Sequence, residues 1–221
     1  AGFTIHERTE QLCKSMVSSG EVNHLTPERV WLEWQKVFSV EKPELFLQTL
    51  DRFGAWMVLM PAMNQVEQDI RRVQEAALTI RDERLFTVLG WYLDQDVLKQ
   101  QLRQLRLPKD VFQLCVLVHS LQEVYQKTRF DISAEILLRR LYQWDVFRRK
   151  SRFDRACTVI HAVIGKGCPL NKISQMVDVI AKIKPDISPS KVMTGEQVAE
   201  DLFKQREKRL AELMQGMPRE S

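Results

Sequence analysis

The stretch LTPERVWLEWQKVF, residues 25–38, decides how this chain folds. Thr26 stands where a helix N-cap stands. Pro27 follows at the first helical position, where its missing N–H leaves nothing unsatisfied. Val30, Trp31, Trp34, Val37 and Phe38 then recur at helical spacing and make one continuous apolar face. Arg29, Glu33 and Lys36 run along the same helix as a separate charged line. Spacings of four and three residues put all three on one stripe. From the residues alone, that line is either a solvated salt-bridge ladder or part of a working site.

The same design recurs outward in both directions. Helical periodicity is found nearly everywhere, and strict strand alternation almost nowhere. A first helix is expected over 4–18, broken by SSGEVNHLTP. A second amphipathic run starts at Pro43, is interrupted at Gly54 and stops at Pro61. Further helices are expected over 64–79, 83–94, 96–105, 111–125, 133–142, 154–163, 171–184 and 196–214. WDVFRRKSRF reads as a short connection or helix end. KPDISPSKVMTG reads as a loop, since two prolines and a glycine leave no room for a helix. The fold class is therefore all-α, with roughly ten helices, no sheet and consecutive helical modules.

Composition agrees. Eight glycines and eight prolines in 221 residues are few for a β-sandwich or a Gly-rich nucleotide-binding fold. A net charge of +4 is mildly basic and bears on partners only where positive charges cluster. Cys13, Cys115, Cys157 and Cys168 have no metal-ribbon spacing and suggest no disulfide framework, as in a reducing compartment. No apolar run approaches the ~20 residues of a membrane span, and the first residues show no signal-peptide core. The expected location is cytoplasmic, with no membrane partner.

Catalytic signatures are absent from the sequence. His6, His24, His119 and His161 lie far apart and lack a second ligand at helical spacing, so they read as surface or capping residues and no metal site is expected. There is no Gly-x-Ser-x-Gly, Walker A or Gly-x-Gly-x-x-Gly element. Gly165 and Gly167 in IGKGCP read as a helix end.

Basic residues say more. LRRLYQWDVFRRKSRFDR, residues 138–155, holds six Arg and one Lys against two Asp, interleaved with Tyr142, Trp144 and Phe147. Such a patch can follow a phosphate backbone, or it can be a solvated helix face with its aromatics turned inward. Lys166, Lys172, Lys182, Lys184 and Lys191 extend the positive charge toward the last helix.

Three ordered segments, GFTIHERTEQL, LTPERVWLEWQKVF and PELFLQTLDRFGAWMVLMP, resemble the neck and body of bacterial tRNA nucleotidyltransferases, the class II CCA-adding enzymes. The matching positions are Gly2, Phe3 and Ile5; Arg29, Glu33 and Lys36; and Gly54, Ala55, Leu59 and Pro61. LRLPKDV, LLRRLYQWDVFRRKSRFDRAC and MTGEQVAEDLFKQREKRL continue the resemblance in order through body and tail. It covers nearly the whole chain.

The resemblance implies a division into neck and start of body at 1–62, helical body at 63–165 and tail at 166–221. It implies tRNA as partner, gripped along its acceptor and T-arm backbone, with DNA excluded. Arg148, Arg149, Lys150 and Arg152, then Lys166 and Lys191, are the expected tRNA-binding residues. Arg29, Glu33 and Lys36 would hold the neck beside the nucleotide-selecting helix. The family's catalytic carboxylates, with Mg2+, CTP and ATP as cofactor and substrates, belong to a head that would precede Ala1. This chain is thus expected to be a carboxy-terminal part, inactive alone. Many relatives carry a His-Asp phosphohydrolase pair that aligns with Gly90 and Trp91, so no phosphohydrolase activity is expected. Two other readings stay open: a helical protein-interaction module, whose docking surface would be FGAWMVLMPAM, and the equivalent part of a poly(A) polymerase.

Overall fold

The computed structural model describes residues 4–165, 167–185 and 194–215. Among them are eleven α-helices and two 3-10 turns, and no β-strand. None of these helices is long and apolar enough to cross a membrane. The chain divides into two compact units, Ala1–Gln122 with Thr158–Gly165, and Glu123–Cys157 with Lys166–Ser221.

The first unit contains α1 (Glu7–Ser18), α2 (Pro27–Val37), α3 (Glu44–Arg52), α4 (Ala55–Leu59), α5 (Val66–Ala76), α6 (Gln95–Gln104) and the first part of α7 (Lys109–Thr128). Its core grows from the opening stretch. Trp34 is 1% exposed and meets Phe46 and Phe86 edge-on at 5.5 and 5.4 Å, with Phe38 and Trp56 tilted beside it. Trp31 adds a second edge-on contact to Phe86 at 5.3 Å. Val30 and Val37 flank this core and are only partly covered. Thr26 occupies the N-cap position of α2, with Pro27 at the helix start, but its hydroxyl makes no capping bond. The backbone carbonyl of Thr26 instead accepts from the N–H groups of Arg29 and Val30.

The GAWMVLMP segment has a physical reason for its residues. Gly54 adopts φ 76° between α3 and α4, a left-handed conformation that glycine takes without strain. The turn after α4 is then clamped twice. Trp56 Nε1 donates to the Met63 carbonyl at 2.6 Å, and the buried Gln101 side chain bonds both the Ala62 N–H and the Leu59 carbonyl. Ala55, Trp56, Met60 and Met63 are buried, so the large side chains of FGAWMVLMPAM serve mainly as core; Met57 is the exposed large side chain.

The expected helix at 83–94 does not form. A 3-10 turn, Glu83–Val88, is followed by irregular chain to Asp94. Leu85 through Trp91 are all buried, so the segment threads through the core without an outward face. Gly90 ends it at φ 67°, where a Cβ would stand 2.9 Å from Leu93 Cδ1. Its N–H donates to Asp69, which also pairs with Arg72 at 3.2 Å.

The second unit contains α8 (Ala134–Gln143), the first part of α9 (Lys150–Ile164), α10 (Leu170–Ile180) and α11 (Gly195–Gln215). Ser133 caps α8 by accepting from the Ile136 N–H. Asp145, at φ 56°, turns the chain between α8 and α9. WDVFRRKSRF is thus partly connection, and α9 begins four residues earlier than periodicity suggests, at Lys150. Helix α9 ends at Gly165, which takes the left-handed conformation expected of a helix terminus. The loop expected at 184–195 lies largely outside the described residues, as do Gly2 and Phe3.

Candidate nucleic-acid interface

The Arg29, Glu33 and Lys36 line lies on the solvent side of α2, opposite the tryptophans. Lys36 Nζ donates to Glu33 at 2.8 Å, with the two side chains 70% and 64% exposed. Arg29 is exposed and forms no ion pair among the described residues. An exposed pair of this kind contributes roughly 0.3–0.5 kcal/mol, too little to explain the line by stability.

Helix α1 presents a second exposed feature of the first unit. None of its residues is buried. Leu12 is 61% exposed, and Ile5 and Met16 are also open. His6 caps this helix by accepting from the Arg8 N–H.

The basic cluster at 148–152 separates into two kinds of cation. Arg148 is 81% exposed and only loosely associated with Asp145, at 3.8 Å. Arg149 is half-exposed and also faces Asp145. Lys150 is spoken for inside the unit. Its ammonium lies 2.8 Å from Asp154, 3.1 Å from Asp178 and 2.8 Å from Ser174 Oγ. Burial works against its charge, but the hydrogen bonds and the charges of Asp154 and Asp178 prevail and raise its pKa. A lysine held protonated is no base for the neighbouring serine, so this Ser–Lys contact is structural. Arg152 is partly buried and donates to the Trp144 carbonyl at 3.0 Å. Burial and the nearby positive charge of Arg149 push its pKa down, against the opposing pull of Asp145. Lys166 and Lys191 lie outside the described residues.

Other chemistry finds little footing. Burial pushes the Cys115, Cys157 and Cys168 thiols up, away from the thiolate form. No group of three His, Cys, Asp or Glu side chains among the described residues could hold a metal ion. The donor set of a magnesium–nucleotide site does not fit the described residues.

Periodicity missed Arg206. It crosses from α11 to α8, donating to the Tyr142 hydroxyl at 2.8 Å, and lies 4.3 Å over the Phe147 ring. Aromatic residues interleaved with arginines in 138–155 were the available signal. Their partner on α11 is a tertiary matter.

No solved structure matches the chain. Residues 2–67 match the family described as the probable RNA- and SrmB-binding site of polymerase A. The chain is 28% identical over 211 residues to a CCA-adding enzyme of Coxiella burnetii, covering 92% of this chain and 54% of that protein. It is 26% identical over 193 residues to the multifunctional CCA protein of Haemophilus ducreyi, covering 69% of this chain and 47% of that protein. Over 63 residues it is 52% identical to the multifunctional CCA protein of Aliivibrio salmonicida, covering 28% of this chain and 16% of that protein. Where the match runs along most of this chain, the chain spans about half the length of the curated relative. The chain is thus similar in sequence to about half of a CCA-adding enzyme, and its residues 2–67 carry the match to the polymerase A RNA-binding family.

Proposed function

We propose that this chain is the tRNA-binding helical portion of a tRNA nucleotidyltransferase that adds or repairs the 3′-terminal CCA of tRNA from CTP and ATP. The observation that carries this reading is the alignment to a CCA-adding enzyme along 92% of the chain. Arg148 supports it, because its side chain is 81% exposed and only loosely associated with Asp145, at 3.8 Å. Residues 1–62 serve as neck and start of body, 63–165 as body and 166–221 as tail. Recognition is by shape and phosphate position along the acceptor and T arms, since a substrate class shared by every tRNA cannot be read by base sequence. Mg2+ and the nucleotides bind to another part of the enzyme, and the chain alone does not catalyse. A tRNA-processing role places it in the cytoplasm.

A gel shift with tRNA lacking its CCA end tests the reading. Binding should weaken with salt, and Arg148→Gln with Arg149→Gln should flatten that dependence. Each lost phosphate contact lowers the slope by about 0.7–0.9. An absence of tRNA binding at low salt, or a slope that the double variant leaves unchanged, would count against it.

A further inference from the structure

Within the second unit, α8 and α11 form a groove of about 470 Å3, lined by Arg139, Tyr142, Gln143, Leu202, Phe203 and Arg206 among others. Its walls follow from helical spacing. Arg139, Tyr142 and Gln143 share one face of α8; Leu202, Phe203 and Arg206 share one face of α11. Helix α11 buries only Leu210 completely, so this face is left partly open.

The groove is built from rings and guanidinium groups. Tyr142 is 39% exposed, and its ring stacks near Phe203 at 5.8 Å and 28°. Phe147 supports Tyr142 from 4.8 Å. Arg206 fixes the Tyr142 hydroxyl and reaches the Ile183 carbonyl at 3.4 Å. With that hydroxyl engaged, Tyr142 offers the groove chiefly its ring. Arg139 lies 5.1 Å over the Phe203 ring and is 63% exposed, although it also pairs with Glu135.

Among the described residues no carboxylate lines the groove. Arg140, Arg148 and Arg149 are exposed on the same helix or just beyond its end. Supported rings, flanking arginines and no lining acid suit a planar ligand attached to negative charge. An unpaired nucleotide has both: a base for the rings and a phosphate for the arginines. A double helix cannot use such a groove, because its bases are already stacked.

We propose that the α8–α11 groove is a stacking site for an unpaired nucleotide of bound RNA, with the base against Tyr142 and Phe203 and its phosphate beside Arg139. This rests on the RNA-binding reading above but adds a requirement that phosphate-backbone binding does not have.

The test compares two probes on the whole chain: a single-stranded oligouridylate of about eight nucleotides and an RNA duplex of the same length. Tyr142→Leu with Phe203→Leu should weaken oligouridylate binding about tenfold, as expected for loss of one stacked base. Duplex binding should stay within about twofold, since its backbone contacts are untouched. Tyr142→Phe keeps the ring and should bind the oligouridylate like the parent. In the unaltered chain, 4-thiouridine-substituted oligouridylate should photo-cross-link to a peptide holding Tyr142 or Phe203, a readout independent of how the variants fold. Unchanged oligouridylate affinity in the leucine variant, or cross-links only elsewhere, would overturn the stacking site while leaving duplex binding and the broader reading in place. Equal loss of both probes in a folded variant would overturn it too, because the groove would then be a structural support or the seat of a different partner. Failure of the parent chain to bind either probe would remove both readings.

Discussion

Lys150 Nζ lies 3.1 Å from an Asp178 carboxylate oxygen on a helix beyond the next turn of chain, and 2.8 Å from Asp154 on its own helix. The most central cation of the basic cluster is therefore part of the scaffold joining α9 to α10. Lys150→Met should destabilise the chain by about 1–3 kcal/mol, because two partly shielded carboxylates and the Ser174 hydroxyl lose their common partner. Urea unfolding measures this. The salt slope of RNA binding should change much less than in the Arg148→Gln, Arg149→Gln variant. A slope change in Lys150→Met as large as in that pair, with stability intact, would make Lys150 a phosphate contact after all.

Asp69 is the other buried ionic group whose environment can be tested. It is 1% exposed, accepts from the Gly90 N–H and pairs with Arg72, which in turn stacks 4.3 Å over Tyr92. Burial raises its pKa from 3.8 to about 6, against the opposing pull of Arg72 and the Gly90 N–H. The folded state therefore binds a proton between about pH 4 and 6 that the unfolded state has released. Stability from this group falls as pH rises through that window and is greatest below it. The parent chain should gain roughly 2–3 kcal/mol relative to Asp69→Asn when pH drops from 7 to about 4, read from urea midpoints of both proteins. A difference independent of pH would refute the shift. Asp69→Ala should cost about 3 kcal/mol at pH 7, since it strands a buried guanidinium.

Gly90 and Gly54 share a left-handed backbone but differ in surroundings. A Cβ at Gly90 would meet Leu93 Cδ1 at 2.9 Å and Met63 Cε at 3.2 Å; at Gly54 it would meet only Val17 Cγ1, at 3.9 Å. Both alanine variants should lose roughly 1–2 kcal/mol from backbone conformation. Gly90→Ala should lose more, because two buried side chains must also shift. Thermal melts of the two variants isolate the packing part, and equal losses would show that Leu93 and Met63 yield freely.

These positions also mark what the sequence made legible. Residues 25–38 could be read as a helix because start, stripe and stop agree within one short window, and Trp31, Trp34 and Phe38 are indeed the buried side. Residues 85–91 could not, because a segment covered on all sides has no polar face to give it a period, and Gly90 acts through neighbours at Leu93 and Met63. The basic cluster was visible as charge. That Lys150 is held inside the unit depends on Asp178 and Ser174, brought close only by folding. The Tyr142–Arg206 link is likewise a pairing of two helices that no local pattern joins.

The charged line of α2 yields the last prediction. Glu33 and Lys36 are both well exposed, so Glu33→Ala should alter the unfolding free energy of this chain by less than about 0.5 kcal/mol. If the line served stability, nothing else would change. In the longer nucleotidyltransferase of the proposed function, the same substitution should slow nucleotide addition while tRNA affinity stays near the parent value. That split follows from where the residues sit: they project from the face of α2 opposite the Trp34 core, open to position a neighbouring part of the enzyme. Single-turnover CTP and ATP addition, measured beside tRNA binding on the same variant, reads the two effects separately. Equal losses in addition and affinity would make Glu33 a tRNA contact, and no loss in either would reduce the line to a solvated ion pair.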